Sequence, residues 1–368
     1  MTASLPVDTS AQHPTASAGA DAARTERVAV IILNWNGKDD TLECLHSVAA
    51  IDYPALEVVV VDNGSQDGSV QAIRAAFPHI TIVETGANLG YAGGNNAGIR
   101  YCLENLSTDF LLLLNNDTLV DPHFITRLVV ASHEHPRAAV LGPKILRCEP
   151  PDVLWFAGGY WKAHNSSFSH VGDGEKDTGQ FDEDKETDFV TGCAMLMRTS
   201  VVRDIGPLDE RFFLTHEDVD WCYRARSAGY SCRFVPAARV HHKVSASFAR
   251  GRASLGIYFT ARNRLLWAEM HLPALQRLRV YTEAGLELLI PRLLSHRRST
   301  APLAKRLYWL LRDGFRANWE GYSDPSYRAW RYGASDYIRR RFGDCPADVR
   351  LSLTKDAEAF RTSAHSGP

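Results

Sequence analysis

Apolar positions along the chain fall into short unbroken runs that alternate with segments of helical spacing. Val28–Leu33 (VAVIIL) is continuous, as expected of a strand covered on both faces. Asp39–Ala50 follows with Leu42, Leu45, Val48 and Ala49 at helical intervals. A second run, Val58–Val61, ends at Asp62, and a short helix is expected to begin near Asp67. Ile80–Val83 reads as a third strand, and Asp109–Leu114 as a fourth that runs into Asn115, Asn116 and Asp117. This alternation predicts an α/β domain, an open, mostly parallel sheet with helices on both faces. Three strands end in polar clusters: Asn34-Trp35-Asn36, Asp62-Asn63 and Asn115-Asn116-Asp117. Ligands of such sheets lie at the carboxyl ends of the strands, so the clusters speak of a site rather than of packing.

Further on the pattern changes. Pro150–Asp188 dissolves into Gly, Asp, Ser and aromatic residues and predicts irregular or sheet-edge structure, with strand-like pieces around Val153–Trp161. Phe189–Arg198 is strand-like again and His216–Ala228 helical. Beyond Ser245 come amphipathic helices, Leu255–Met270, Pro273–Leu289 and Ala301–Ala317; patterning is weak from Gly321 onward, which predicts loose packing there. The expected organisation is a disordered tail to residue 26, a catalytic domain over 27–247 with halves at 27–143 and 144–247, helices over 248–320, and a weakly structured tail over 321–368.

Charge refines this picture. The net charge of -2 conceals a basic stretch, Ala246–Arg340, with 17 Lys and Arg against 7 Asp and Glu. That stretch could face an anionic bilayer or a phosphate-bearing lipid, most directly through Ala301–Ala317; a helix packed on the domain with a solvated basic side is the plainer alternative. The acidic remainder would repel nucleic acid, and no motif for reading it occurs. Seven scattered cysteines with no C-x-x-C pair give neither zinc-site spacing nor a disulfide framework. With no apolar run of about 18 residues and no signal-peptide core, the expectation is a cytoplasmic protein, peripheral on the membrane at most.

Four segments carry candidate chemistry. Asp62, opening DNGSQDGS, can accept hydrogen bonds from a base or ribose; Ser65 and Asp67 could equally cap the following helix. Asn88–Gly98 (NLGYAGGNNAG) lets backbone approach a ligand, or serves as a strand-to-helix turn; it is neither a dinucleotide fingerprint nor a phosphate loop. Asp117 is a carboxylate delivered by a buried strand to the sheet edge, suited to a hard divalent cation that also takes diphosphate oxygens. One carboxylate is a thin shell, and His242 is the candidate second ligand, suiting Mn²⁺ better than Mg²⁺. Finally, Glu217, Asp218 and Asp220 crowd three carboxylates into one first helical turn, beside Phe212 and Phe213. Acidic residues there meet the helix dipole favourably, but like charges against an apolar wall can also raise one pKa toward a general-base value.

Taken in order, VIILNWNG, VVVVDNGSQDGS, NLGYAGGNNAG, LLLLNNDT, FVTGCAMLMR, GPLDERFFLTHEDVDWCYRARSAGY and VHHKVSAS resemble the inverting family 2 glycosyltransferases of GT-A fold. Similarity is greatest to the rhamnosyltransferase-like group of cell-envelope polysaccharide synthesis. The resemblance spans about Val28–Ser247. It implies that Asn34 and Asn36 lie against the nucleotide, that Asp62 or Asn63 reads the base, and that Asn88, Gly90, Gly94, Asn95 and Asn116 complete the donor site. It makes Asp117 the metal-binding end of a D-x-D-like motif, with His242 able to reach metal or diphosphate. Asp218 becomes the base that deprotonates the acceptor, with Glu217 beside it and acceptor contacts from Asp209, Glu210 and Trp221. Arg262-Asn263 resembles a further motif at the start of the C-terminal helices. Asn115 and Asn116 stand where many relatives have a first acidic residue, and Asn63 where others have a second Asp.

The implied cofactor is Mg²⁺ or Mn²⁺, the donor a dTDP- or UDP-sugar with dTDP-rhamnose first, and the acceptor a glycan or lipid-linked intermediate. Two rivals are a sugar nucleotidyltransferase and a non-catalytic nucleotide-sugar-binding protein. The first would want Arg and Lys around the first strand's loop, where only Lys38 stands; Asp117 and Asp218 together speak against the second.

Overall fold

The computed structural model describes residues 25–162, 167–244, 253–289 and 325–353. β1 (Val28–Asn34), β2 (Leu56–Asp62), β3 (Thr81–Glu84) and β4 (Phe110–Asn115) run parallel in the order β4–β1–β2–β3. The registers Asn34↔Asp62 and Leu33↔Asn115 bring the three polar strand ends to one edge, as their positions in the sequence predict. Between them lie α1 (Lys38–Ala49), α2 (Ser69–Ala76) and α3 (Gly90–Asn105), which cover the apolar strands.

Beyond β4 the sheet takes up β11 (Ala194–Arg198), β6 (Ala138–Arg147) and β12 (Ser231–His242). β11 is antiparallel to both neighbours, and β12 is parallel to β6. β5 (Thr118–Val120) turns back against β12, pairing His242 with Thr118, and α4 (Phe124–Glu134) leads into β6. The architecture is the mixed α/β one expected.

The Asn88–Gly98 motif is not a loop. Apart from its first two residues it is the opening of α3, and its glycines serve packing. A β-carbon at Gly98 would stand 2.5 Å from Ile31 Cγ2, so the helix lies closer to the sheet than any other residue would permit.

The segment 150–188 has order of an unexpected kind: β7 (Leu154–Phe156), a hairpin of β8 (Gly159–Lys162) and β9 (Ser167–His170), and β10 (Lys185–Thr187). Charge pins it. Wholly buried Lys144 donates to Asp177 at 3.0 Å and pairs with Asp182, while Arg147 holds Asp173. Ion pairs have no hydrophobic period, which is why the pattern failed there.

After α5 (Thr199–Ile205) and α6 (Glu217–Ser227), α7 (Ala253–His271) and α8 (Ala274–Leu289) occupy the two first helices expected of the C-terminal region. The third, Ala301–Ala317, lies outside the described residues, as does the tail before residue 25. Leu266 and Trp267 of α7 belong to the main core, so this region is continuous with the domain rather than appended to it.

The expectation of loose packing beyond Gly321 is overturned by α9 (Pro325–Ile338), which buries Tyr327, Ala329, Trp330 and Ala334, chiefly against α7. Contact there depends on small residues, which a search for large apolar side chains passes over. Among the described residues no helix is long and apolar enough to cross a membrane, and all seven cysteines are free.

At Gly333 an added methyl would collide with the Tyr258 carbonyl of α7. Gly333→Ala should therefore lower stability by about 1–3 kcal/mol, read as a lower urea midpoint at unchanged m-value.

Candidate active site

The polar strand ends are cross-tied before any ligand is considered. Wholly buried Asn34 donates through Nδ2 to Asp62 Oδ1 (2.9 Å) and Ser65 Oγ (3.1 Å). Its Oδ1 accepts from Thr41 Oγ1 (2.9 Å) and from the Gly37 N–H (3.2 Å). Asp62 Oδ2 accepts the Ser65 N–H, and Asn36, left-handed at φ 52°, accepts the Gln66 N–H. Asn116 donates to Thr41 Oγ1 at 2.9 Å, and a β-carbon at Gly37 would stand 2.5 Å from that same Nδ2.

Asn63 is held by the chain itself. Nδ2 donates to Asn88 Oδ1 and the Gly90 carbonyl, while Oδ1 accepts from the Leu89 N–H and Thr85 Oγ1. Both amide N–H groups are thereby engaged within the chain, and Oδ1 accepts at least the Leu89 N–H. An aspartate could not donate to Gly90, which accounts physically for asparagine here. Asn95 donates to the Tyr91 carbonyl, and Gly94 presses on Leu33 and Asn63; both shape α3 from within.

A cavity of about 310 Å³ opens on this edge. Asn63, Asn88, Gly90 and Asn116 line it on the sheet side, with Trp35, Trp155 and Phe213 as aromatic walls. Asp117 and His242 face into it together, with His242 Nε2 3.1 Å from Asp117 Oδ1. The pairing of β5 with β12 creates this contact, supported by the Lys243 N–H donating to the Asp117 carbonyl. His242 Nδ1 is buried without a hydrogen-bond partner, and Trp155 packs against the ring with centroids 4.5 Å apart. Among the described residues no group of three or more His, Cys, Asp or Glu is arranged to hold a metal. The Asp117–His242 pair fits a cation that draws its remaining ligands from diphosphate oxygens and water.

The carboxylates opening α6 divide their roles by environment. Asp220 is wholly buried and bonded to Arg224 (2.9 Å) and His271 (2.6 Å), a packing assignment. Asp218 accepts the Gly192 N–H (2.9 Å) and the Val219 N–H (2.8 Å). Glu217 is 5% exposed, and its Oε2 has no partner. Burial, then the charge of Asp218, pushes Glu217 well above the usual carboxylate range. Burial raises Asp218 as well, but the Gly192 and Val219 N–H groups and His170 oppose it. A single proton on this pair therefore rests on Glu217 and leaves Asp218 the anion.

Burial lowers the pKa of His170, and its Nδ1 lies 3.1 Å from the Trp155 carbonyl. The Cys193 thiol, raised first by burial, feels the charges of both Asp117 and Asp218. Asp218 accepts the Gly192 N–H, and Asn115, two residues before Asp117, donates its N–H to the Cys193 carbonyl, so the two elements meet at the Gly192-Cys193 turn, immediately before β11.

The three residues expected at the acceptor have their polar groups engaged within the chain. Asp209 is held by Arg211, with Nη2 to Oδ2 at 2.6 Å, and Glu210 by Asn96 (3.0 Å) and Arg100 (3.2 Å). Trp221 is wholly buried, its indole donating to the Gly206 carbonyl, so its large apolar area went to the core.

Arg262 and Asn263 serve as a clamp. The loop before α6 carries three left-handed non-glycine residues, Phe213 (φ 62°), Thr215 (φ 68°) and His216 (φ 73°). Each costs about 1–3 kcal/mol unless its surroundings impose it. Asn263 Nδ2 lies 2.8 Å from the carbonyls of Phe212, Leu214 and Thr215, and Arg262 Nη2 donates to those of Arg211 and Phe212. Both side chains are fully buried. Sequence reasoning missed Tyr91, Trp155, His170 and Arg350 at or beside the cavity, and read Phe213 only as an apolar neighbour of the carboxylates that open α6. Of the four missed, only Tyr91 had a signal, its place inside the glycine motif.

Comparison with known proteins shows the family and the fold. The profile described as Glycosyltransferase like family 2 matches residues 25–267. The chain is 29% identical over 242 residues to the low-salt glycan biosynthesis hexosyltransferase Agl10 of Haloferax volcanii, covering 65% of this chain and 74% of that one. It is 26% identical over 254 residues to the N-acetylglucosaminyl-diphospho-decaprenol L-rhamnosyltransferase of Mycobacterium tuberculosis, covering 62% and 80%. Among solved structures, the mannosyltransferase PcManGT of Pyrobaculum calidifontis, in complex with GDP-Man and Mn²⁺, superposes with TM-score 0.54 at 15% identity over 87% of this chain and 89% of that one.

Asn263→Leu removes the two N–H groups that serve this strained loop and leaves the Leu214 and Thr215 carbonyls without their donor. It should cost about 2–4 kcal/mol and accelerate amide hydrogen exchange selectively over residues 211–220. Glu217→Gln tests the placement of the proton. A raised native pKa gives stability that is full below the ordinary glutamate value and is lost as pH rises through the raised one, at about 1.4 kcal/mol per pH unit. The Gln variant should therefore gain on the wild type between pH 5 and 8, read as a Tm difference that widens with pH.

Proposed function

Because this chain belongs to the glycosyltransferase like family 2, we propose that it moves a sugar, with inversion, from a nucleoside diphosphate to an acceptor hydroxyl in cell-envelope glycan synthesis. The protein is a glycosyltransferase of GT-A fold. Its donor would occupy the cavity at the strand ends, with Trp35 and the Asn88–Gly90 turn against the nucleotide and Asp117 and His242 toward the diphosphate. Asn34, Asn36, Asp62 and Asn63 would act from behind, by fixing the shape of that wall. dTDP-L-rhamnose is the first donor to test and UDP-hexoses the second; the rhamnosyltransferase relative supports that order.

Asp117 and His242 would hold a divalent cation, Mn²⁺ or Mg²⁺, of the kind that the solved mannosyltransferase contains. When bound there, the cation supplies positive charge beside the leaving diphosphate. Asp218, kept ionised by two N–H donors while Glu217 carries the proton, takes the proton of the acceptor hydroxyl. The acceptor oxygen forms its bond to the anomeric carbon as the bond to the diphosphate breaks, and one displacement inverts that centre.

The observation that supports this reading is the meeting of the Asp218 side chain and the end of the strand before Asp117 at the Gly192-Cys193 turn, through the Gly192 N–H to Asp218 and the Asn115 N–H to the Cys193 carbonyl. A lipid-linked acceptor is part of the proposal, since the mycobacterial relative is named for one. Peripheral contact with an anionic membrane goes with it.

A panel of nucleotide sugars with and without Mn²⁺ should reveal one donor whose binding raises Tm in a metal-dependent way. Asp117→Asn should abolish that dependence. Asp218→Asn should lower kcat by about 10²–10⁴ with donor affinity unchanged; transfer that survives it at the wild-type rate overturns the assignment.

A further inference from the structure

A second cavity, of about 300 Å³, lies on the other side of the residues that open α6 and shares no lining residue with the first. Its walls are aromatic. Trp161 and Phe168 form a cross-strand pair of the β8–β9 hairpin with ring centroids 4.7 Å apart, and both pack on Trp267, which in turn meets Tyr223. Its rim is polar: Gln276 is exposed, and Arg226 is 44% exposed and paired with Asp188 at 2.9 Å. The indole N–H of Trp267 is buried with no hydrogen-bond partner, an uncommon condition for a tryptophan.

The place of this cavity in the fold gives it a meaning. Val219, which follows Asp218 directly, lines it, as does Tyr223 one turn further along α6. The same hairpin serves both sites: His170, paired with Gly159, packs on Trp155, a wall of the first cavity, with ring centroids 4.7 Å apart, while Trp161 and Phe168 stand two residues away. Two residues of a strand advance about 6.6 Å, on the scale of one sugar unit in a chain. Aromatic faces offer the apolar C–H side of a pyranose a surface to stack on, and a carboxylate, a guanidinium and an amide at the rim suit its hydroxyls.

We propose that this cavity binds a sugar ring of the acceptor, one unit removed from the ring that carries the attacking hydroxyl. It is thus a glycan subsite that sets which acceptors are extended. The identification of its occupant as acceptor rests on the glycosyltransferase reading above; the existence of a carbohydrate site here does not.

The test is saturation-transfer NMR on the full chain with methyl α-L-rhamnoside, methyl β-D-glucoside, N-acetylglucosamine, cellobiose and maltose. Each is run with and without saturating UDP or dTDP. At least one of these sugars should give a signal that persists in the presence of nucleotide and falls at least fivefold in both Arg226→Ala and Trp161→Ala. Nucleotide affinity and Tm of Arg226→Ala should match the wild type; Gln276→Ala, on the exposed rim, provides a second variant if Trp161→Ala fails to fold. Silence from every sugar overturns the proposal, as does a signal displaced by nucleotide or unchanged in the rim variants. Failure of the glycosyltransferase reading would look different: the wild type would bind no nucleotide, whatever the sugars do.

Discussion

The loop from Arg211 to His216 adopts a backbone path that its own residues disfavour, and two fully buried side chains from a distant helix impose it. Three left-handed residues in four positions, one of them β-branched, would not persist in an isolated segment. Asn263 and Arg262 supply the compensation by donating to the carbonyls that this path turns inward. The loop then does two things at once. It carries Phe213 to the first cavity, where its carbonyl accepts the Tyr91 and Ala92 N–H groups, and it sets the angle at which α6 presents Glu217 and Asp218. α7 is therefore part of the active-site framework, although it lies outside the sheet that gives the domain its form.

From that framework follows an electrostatic division of labour. Adjacent carboxylates in a buried setting cannot both ionise cheaply, and the structure breaks the tie with hydrogen bonds. Asp218 reaches the Gly192 N–H and Glu217 has nothing comparable for Oε2. The same turn lies against Asn115, whose N–H donates to the Cys193 carbonyl, so the strand that delivers Asp117 and the helix that delivers Asp218 meet at one short piece of backbone. The separation of Asp117 and Asp218 is constrained by these main-chain contacts.

Aromatic side chains then extend the chemistry outward. Trp155 touches both His242 and His170, and Phe168 touches His216 and Trp267. Trp155 of β7 and the β8–β9 hairpin thereby form a wall that runs from His242 through His170 to Phe168 and the second cavity. The charged pins on Lys144 and Arg147 hold the segment that follows the hairpin against the sheet.

Much of this was legible in the chain itself. Unbroken apolar runs identified β1, β2 and β4, because a strand buried on both faces has no polar face to show; their polar termini located the edge at which a ligand binds. Asp117, His242 and Asp218 could be singled out because a carboxylate at the end of a buried strand, or three in one helical turn, exceeds what folding needs. What each polar residue does there was decided by tertiary structure alone. Asn63 and Asn34 read as ligand contacts, yet close neighbours from other elements take up their hydrogen-bonding groups. Trp221 was claimed by the core, and Tyr327 and Trp330 are buried beside Ala329, Gly333 and Ala334 on one helix. Sequence shows which groups are available and at what period; only the folded chain determines which of them are already satisfied, since a hydrogen bond or an ion pair across a hundred residues leaves no periodic trace.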